Sequence, residues 1–89
     1  MITVKKITLD VLKPHQPNAL DFSRAIAKAG KDYRVCLTVI EMDENTETLQ
    51  LEVEGSSVDL EAVEAAISSM GGSLHSIDQV EVQNETEQG

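Results

Sequence analysis

Aromatic residues are scarce in this sequence, which has one Phe, one Tyr and no Trp. Domains that read single-stranded RNA on a sheet need aromatic side chains exposed on their strands, and this chain has almost none to offer. Basic residues are also few, and all seven occur at or before Arg34. Because binding to a phosphate backbone requires clustered cations, the sequence argues against a nucleic-acid partner.

Cysteine is nearly absent as well, with Cys36 the single example. One thiol cannot form an internal disulfide, and the sequence contains no Cys-x-x-Cys pair for zinc or redox chemistry. No apolar run approaches the ~18 residues of a membrane span, and the N-terminus lacks the apolar core of a secretory signal. These absences predict a soluble protein of the reducing cytoplasm without a membrane partner.

Acidic residues are abundant and unevenly distributed. Residues 35–89 contain 13 Asp or Glu and no Lys or Arg, whereas residues 1–34 contain seven basic and three acidic side chains. The resulting negative field attracts cations, either metal ions or the basic surface of a protein partner. The alternative is that the acidity serves only solubility or tolerance of salt.

Hydrophobic periodicity predicts four strands and two helices within a single domain over residues 1–82. The strands are predicted at about 1–12, 33–42, 48–54 and 73–82, and the helices at about 18–29 and 59–70. Asn18 and Asp59 are the predicted N-caps, and Gly30 and Gly71 the predicted stops. The polar residues 83–89 are predicted to be a disordered tail.

The order βαββαβ in fewer than 90 residues predicts an α+β, ferredoxin-like sandwich. Right-handed crossovers give an antiparallel sheet of order 4-1-3-2 with both helices on one face. The other face is then open. Strand alternation predicts that this face combines polar residues with apolar ones, namely Lys6, Thr8, Asp10, Gln50 and Glu52 with Leu12, Ile40, Met42 and Ile77. Such a surface favours self-association.

The first candidate site lies at one end of the predicted sheet. The first and fourth strands should pair, which brings Asp10 close to His75 on the open face, with His15 in the loop just beyond. A carboxylate beside an imidazole can ligate a metal or position a water molecule. It can equally form a hydrogen bond that only orders the loop. The apolar residues of the last strand change phase near Asp78, which indicates either a β-bulge or a further cation ligand at that residue.

The second candidate site is the acidic turn between the second and third strands. Asp43, Asn45 and Glu47 alternate in the way that oxygen ligands of calcium do. A true EF-hand is excluded because the sixth position is Thr48 instead of glycine. A surface calcium site completed by a neighbouring subunit and an ordinary solvated turn both remain as interpretations.

Two long motifs and the hairpin stretch give the chain a family likeness. Residues 9–15 read LDVLKPH, residues 71–78 read GGSLHSID, and residues 39–43 read VIEMD. With these motifs, the chain from Ile2 to Val82 resembles the archaeal family known as domain of unknown function 211. The resemblance implies a ferredoxin-like fold, ring-like homo-oligomers, calcium in some members and no established activity.

Some enzymes and metal carriers with the ferredoxin-like fold have characteristic residues in the loop after the first strand. The loop after the first strand, residues 13–17, has neither the arginine of an acylphosphatase-like phosphate site nor the paired cysteines of a metal chaperone. No catalytic grouping can be defended from spacing alone. The sequence therefore favours a protein that is not an enzyme.

Two functions remain as hypotheses. The first is a homo-oligomer that binds divalent cations, with calcium as the expected ion and six expected metal ligands: Asp10, Asp43, Asn45, Glu47, His75 and Asp78. The second is a small-molecule sensor with ligand sites between subunits, similar to the amino-acid-binding regulatory domains that share this fold. A passive adaptor whose acidic second half docks a basic protein is a third interpretation.

Overall fold

A computed structural model describes residues 1–86 and has the element order βαββαβ. The strands are β1 (Ile2–Pro14), β2 (Arg34–Met42), β3 (Thr46–Glu54) and β4 (Ser73–Asn84), and the helices are α1 (Ala19–Ala27) and α2 (Leu60–Ser69). The strands form one antiparallel sheet in the order β2-β3-β1-β4. This is the predicted order counted from the other edge, and it confirms the α+β ferredoxin-like fold.

The hydrophobic core lies between the sheet and the two helices. Alternate residues of β1 and β3 face the core, and two buried residues from each helix pack against them. The buried members are Ile7, Leu9, Val11, Phe22, Ile26, Leu49, Leu51, Val53, Val58, Val63 and Ile67. Since both helices contribute to this one cluster, they pack on the same face of the sheet. No helix within residues 1–86 is long and apolar enough to cross a membrane.

The helix ends follow from local hydrogen bonding. The Asn18 side chain accepts from the backbone N–H of Asp21 at 2.8 Å, and Asp59 caps α2 in the same manner. Helix α2 ends in a Schellman motif, in which Gly71 has a φ of +82° and the N–H of Gly72 donates to the carbonyl of Ile67. This is the backbone region that glycine enters without steric cost. The two N-caps and the stop at Gly71 are confirmed.

Gly30 has a different role from the predicted one. Helix α1 already ends at Ala27, with Lys28 as its C-cap, and Gly30 does not adopt a positive φ. A Cβ on Gly30 would come within 2.1 Å of the Tyr33 ring. The hydroxyl of Tyr33 accepts from the backbone N–H of Asp59 at 2.7 Å. The glycine therefore gives Tyr33 room to reach α2 and does not terminate α1.

Strand β4 contains two bulges opposite β1. Ser76 lies opposite Asp10 and Leu74 lies opposite Val11, so His75 has no partner in β1. Gln79 lies opposite Thr8 and Ile77 lies opposite Leu9, so Asp78 has no partner either. The predicted bulge at Asp78 is confirmed, and a second one occurs at His75. Each bulge inserts one residue without a partner and shifts the side-chain alternation by one.

The bulges overturn part of the predicted open face. Cross-strand partners share a face, and Ile77 lies opposite Leu9, which is in the core. A bulge at Ile40 likewise shifts β2, so that Met42 lies opposite Glu47, whose own partner Lys13 is on the helix side. The prediction that Ile77 and Met42 belong to the open face is therefore wrong.

The corrected open face is polar almost throughout. One row across the four strands reads Arg34, Glu54, Lys6 and Glu81, and the next reads Cys36, Glu52, Thr8 and Gln79. The third row reads Thr38, Gln50, Asp10 and Ser76. The apolar residues of β4 lie on the helix side instead, where Ile77, Val80 and Val82 are each roughly half exposed.

Three strand boundaries extend beyond their predicted limits, and one of them is the start of β3 at Thr46. Strand β1 continues to Pro14, and β4 continues to Asn84, two residues past the predicted domain boundary at Val82. Glu85 is also held, because it forms an ion pair with Lys5 and its N–H donates to the carbonyl of Met1 at 2.7 Å. The part of the predicted disordered tail that covers residues 87–89 lies outside the described residues.

Candidate functional site

Asp10 and His75 lie together on the open face. The Nδ1 atom of His75 is 3.1 Å from the Oδ2 atom of Asp10, and the two side chains are 78% and 30% exposed. Since a carboxylate can only accept at this distance, Nδ1 carries the hydrogen and Nε2 points to solvent. The predicted proximity of Asp10 and His75 is confirmed, while their binding of a metal stays a prediction.

The two bulges of β4 create this arrangement. Ser76, opposite Asp10, donates from its hydroxyl to the Oδ1 atom of Asp78 at 2.7 Å. Asp78 and His75, the two bulged residues, thereby share the open face with Asp10. We call Asp10, His75, Ser76 and Asp78 the open-face patch. It places the three expected metal ligands of the sheet end, Asp10, His75 and Asp78, on the same face at neighbouring positions of β1 and β4.

A shallow depression of about 220 Å³ adjoins the open-face patch. Its walls are formed by Asp10, Val11, Leu12, Thr48 and His75. The lining therefore combines the apolar side chain of Leu12 with the carboxylate of Asp10 and the imidazole of His75. This combination suits a small ligand that has both an apolar part and a polar group.

The acidic turn is organised differently from the prediction. Glu47 does not face Asp43 and Asn45, because its carboxylate lies on the helix side, where it is 3.3 Å from Lys13 Nζ and 2.9 Å from His15 Nδ1. The backbone N–H of Asp43 donates to the carbonyl of Thr46 at 2.8 Å, which closes the turn. The structure thus separates Glu47 from the other two expected ligands of the turn.

Lys13 is the most completely buried charged residue of the described chain, with 0% exposure. Its ammonium group donates to the carbonyls of Pro14 and Pro17, each at 2.7 Å, and pairs with Glu47. It also lies 5.8 Å from the centre of the Phe22 ring, within cation–π range. A buried ammonium needs this number of partners, since its desolvation is costly.

His15 connects the same network to the acidic turn and takes no part in the open-face patch. Its Nδ1 atom faces Glu47, and its Nε2 atom faces the carbonyls of Asp43 at 3.0 Å and Glu44 at 2.9 Å. A neutral imidazole has one N–H only, so these contacts are all satisfied only when both nitrogens carry hydrogen. The hydrogen bond to Glu47 is the main cause that raises the pKa of His15.

The raised pKa of His15 predicts a loss of stability at alkaline pH. Its contribution is complete below the unfolded value of about 6.5 and disappears as pH rises through the higher folded value. Urea unfolding between pH 6 and 9 should therefore show a falling midpoint, whereas His15→Gln should flatten that slope. An equal slope in the wild type and in His15→Gln would contradict the assignment.

The Lys13–His15–Glu47 network was not predicted, although a sequence signal for it exists. Lys13 continues the alternation of Ile7, Leu9 and Val11 toward the core, and Glu47 lies two residues before buried Leu49. A charged residue in phase with a core strand is an indication of a buried partner of opposite charge. This network explains the turn as a structural element.

Within residues 1–86, no three His, Cys, Asp or Glu side chains converge in a way that could hold a metal ion. The open-face patch joins Asp10 to His75 and Ser76 to Asp78, but one chain does not complete a coordination sphere from these side chains. A cation bound there would need water or a second copy for its remaining ligands.

The fold and the open-face patch define a small ferredoxin-like protein whose polar sheet face carries a carboxylate–imidazole pair. A model of the family described as uncharacterized ArCR, domain of unknown function 211, matches residues 5–86, and the chain belongs to this family. An uncharacterized protein of Methanocaldococcus jannaschii is 36% identical over 77 residues, which cover 86% of this chain and 79% of that protein. The resemblance seen in the sequence is thereby confirmed.

Proposed function

We propose that this protein is a non-enzymatic homo-oligomer that binds divalent cations, with calcium as the expected ion. One observation carries the proposal: two bulges in β4 turn His75 and Asp78 to the same face as Asp10. Bulges are frequent next to functional sites, where they re-aim side chains. Two of them within four residues, both at expected cation ligands, support a binding role for this surface.

The surroundings of the open-face patch also favour cations. The basic residues of the open face, Arg34 and Lys6, lie two rows from Asp10, and Lys6 is already paired with Glu52 at 3.3 Å. Calcium takes six to eight oxygen ligands. Asp10 and Asp78 can supply only some of them, and water and a second copy of the chain would supply the others.

The exposed apolar residues of β4 support self-association. Ile77, Val80 and Val82 lie on the helix side of an edge strand and are each roughly half exposed. An edge strand also presents unpaired backbone groups that another chain can pair with. A second copy covering this strand would bury both the apolar side chains and the free edge.

The proposal is tested by calcium-dependent stability and by native mass. At a calcium concentration 100 times the dissociation constant, we expect stabilisation by about 2.7 kcal/mol, which raises Tm by roughly 10–20 °C for a domain of this size. The double variant Asp10→Asn, Asp78→Asn should lose this rise. The native mass should show an assembly that a chelator loosens.

A matched control uses the acidic turn. The double variant Asp43→Asn, Asn45→Ala should retain the calcium effect, and Glu47 is left intact because it stabilises Lys13. If calcium raises Tm equally in the wild type and in the Asp10→Asn, Asp78→Asn variant, the cation site is elsewhere. A monomer with and without calcium would contradict the proposed assembly.

The depression beside the open-face patch favours a second candidate function, a sensor of small molecules. Leu12 beside Asp10 and His75 could hold a ligand that has both an apolar and a polar group. Thermal-shift screening of amino acids and nucleotides tests this function. A panel without any shift would leave the cation-binding function as the remaining candidate.

A further inference from the structure

We propose that His75 is a ligand for a first-row transition-metal ion, which it binds through Nε2 while Asp10 positions the ring. The inference rests on the proposed cation-binding role of the open-face patch and names the class of ion that its imidazole selects. Calcium takes oxygen ligands. Imidazole nitrogen suits nickel, copper, cobalt and zinc instead.

The geometry of His75 is the arrangement found around histidine ligands of metals. Such ligands usually donate their other ring N–H to a carboxylate, which fixes the tautomer and raises the basicity of the free nitrogen. Asp10 Oδ2 lies 3.1 Å from His75 Nδ1 and is in that position. The Nε2 atom has no hydrogen-bond partner among residues 1–86, and the ring is 78% exposed.

The backbone presents His75 in this orientation. His75 is the extra residue of a bulge, so it has no direct partner in β1 and its side chain is turned toward Asp10. The Asp10 carboxylate is itself only 30% exposed and belongs to a central strand. The group that orients the imidazole is therefore more buried than the imidazole and belongs to a strand paired on both sides, as suits a positioning residue.

The other histidine of the chain is an internal control. His15 has Nδ1 facing Glu47 and Nε2 facing two backbone carbonyls, so neither nitrogen is free for a metal. The sequence contains two histidines in all. A probe that reports on histidine rings can therefore compare His75, whose Nε2 is exposed, with His15, whose two nitrogens are hydrogen-bonded, in the same molecule.

The experiment is a nickel titration of the untagged protein followed by NMR of the two histidine rings. Paramagnetic Ni²⁺ should broaden the signals of His75 at ratios that leave those of His15 sharp. His75→Gln should abolish binding, and Asp10→Asn should lower the affinity about tenfold or more. Glu64→Gln, which changes an exposed carboxylate of α2, should leave the affinity unchanged.

Three results would overturn the inference: no broadening of His75, equal broadening of both histidines, or unchanged nickel affinity in Asp10→Asn. The calcium experiment remains separate, because His75→Gln retains both carboxylates of the open-face patch. Loss of nickel binding with a retained calcium effect in His75→Gln is the expected result. A nickel effect in the wild type without any calcium effect would contradict calcium binding and leave the transition-metal site standing.

Discussion

Glu47→Ala is expected to lower the free energy of unfolding by about 3–5 kcal/mol, the usual cost of breaking a buried ion pair from one side. Lys13 is fully buried, and the Glu47 side chain is only 9% exposed. Truncating Glu47 leaves the ammonium group with backbone carbonyls alone and removes the acceptor of His15. Since small domains are stable by only ~5–15 kcal/mol, this one change should bring the protein close to unfolding.

A second ion pair between β3 and β1 provides the control. Glu52 lies 3.3 Å from Lys6 on the open face, with both side chains at least a quarter exposed. Glu52→Ala should cause a much smaller loss, because exposed ion pairs contribute little. Urea denaturation of both variants measures the difference. Similar losses for Glu47→Ala and Glu52→Ala would show that burial does not decide the strength of the first pair.

Phe22→Ala is expected to cost about 3–5 kcal/mol, as is usual when a buried aromatic side chain is truncated. Phe22 has 0% exposure and is the one Phe of the sequence. It packs between the core and Gly72, at which a Cβ would lie 3.2 Å from the Phe22 ring. Within residues 1–86, Phe22 is the one aromatic side chain among the buried core residues, and Tyr33 packs against the core but is only partly buried.

Leu20→Ala on the same helix is the matched control. Leu20 is 59% exposed, so its truncation removes little buried surface and should change the unfolding free energy only slightly. Thermal or urea unfolding of the two variants gives the comparison. A Phe22→Ala variant as stable as Leu20→Ala would mean that the core collapses around the missing ring.

Prediction from the sequence succeeded where local patterns decide the outcome. Alternation in β1 placed Ile7, Leu9 and Val11 in the core, and Asn18 and Asp59 capped their helices as expected. It failed for Ile77 and Met42, because each follows a bulge. A bulge adds a residue to one strand only, so its position depends on the partner strand as much as on its own sequence.

In the candidate site, too, one contact was predictable from the sequence and another was not. The pairing of Asp10 with His75 follows from antiparallel strands β1 and β4, and it was predicted. The engagement of Glu47 by Lys13 and His15 was not predicted, and it separates Glu47 from Asp43 and Asn45. The residue types and spacing of Asp43, Asn45 and Glu47 resemble those of calcium ligands. The side-chain alternation of β3, however, directs Glu47 to the helix side of the sheet.

The sequence by itself determined the order of elements, the topology of the sheet and the excess of acidic residues, because these depend on periodicity, capping and composition. Only the tertiary structure decided which side chains share a face of β4 and which carboxylates are free for a cation. The physical reason is that a buried ammonium must be paired wherever the fold encloses it. Glu47 is therefore paired with buried Lys13, whereas Asp10, His75 and Asp78 of the open-face patch lie where a cation could reach them.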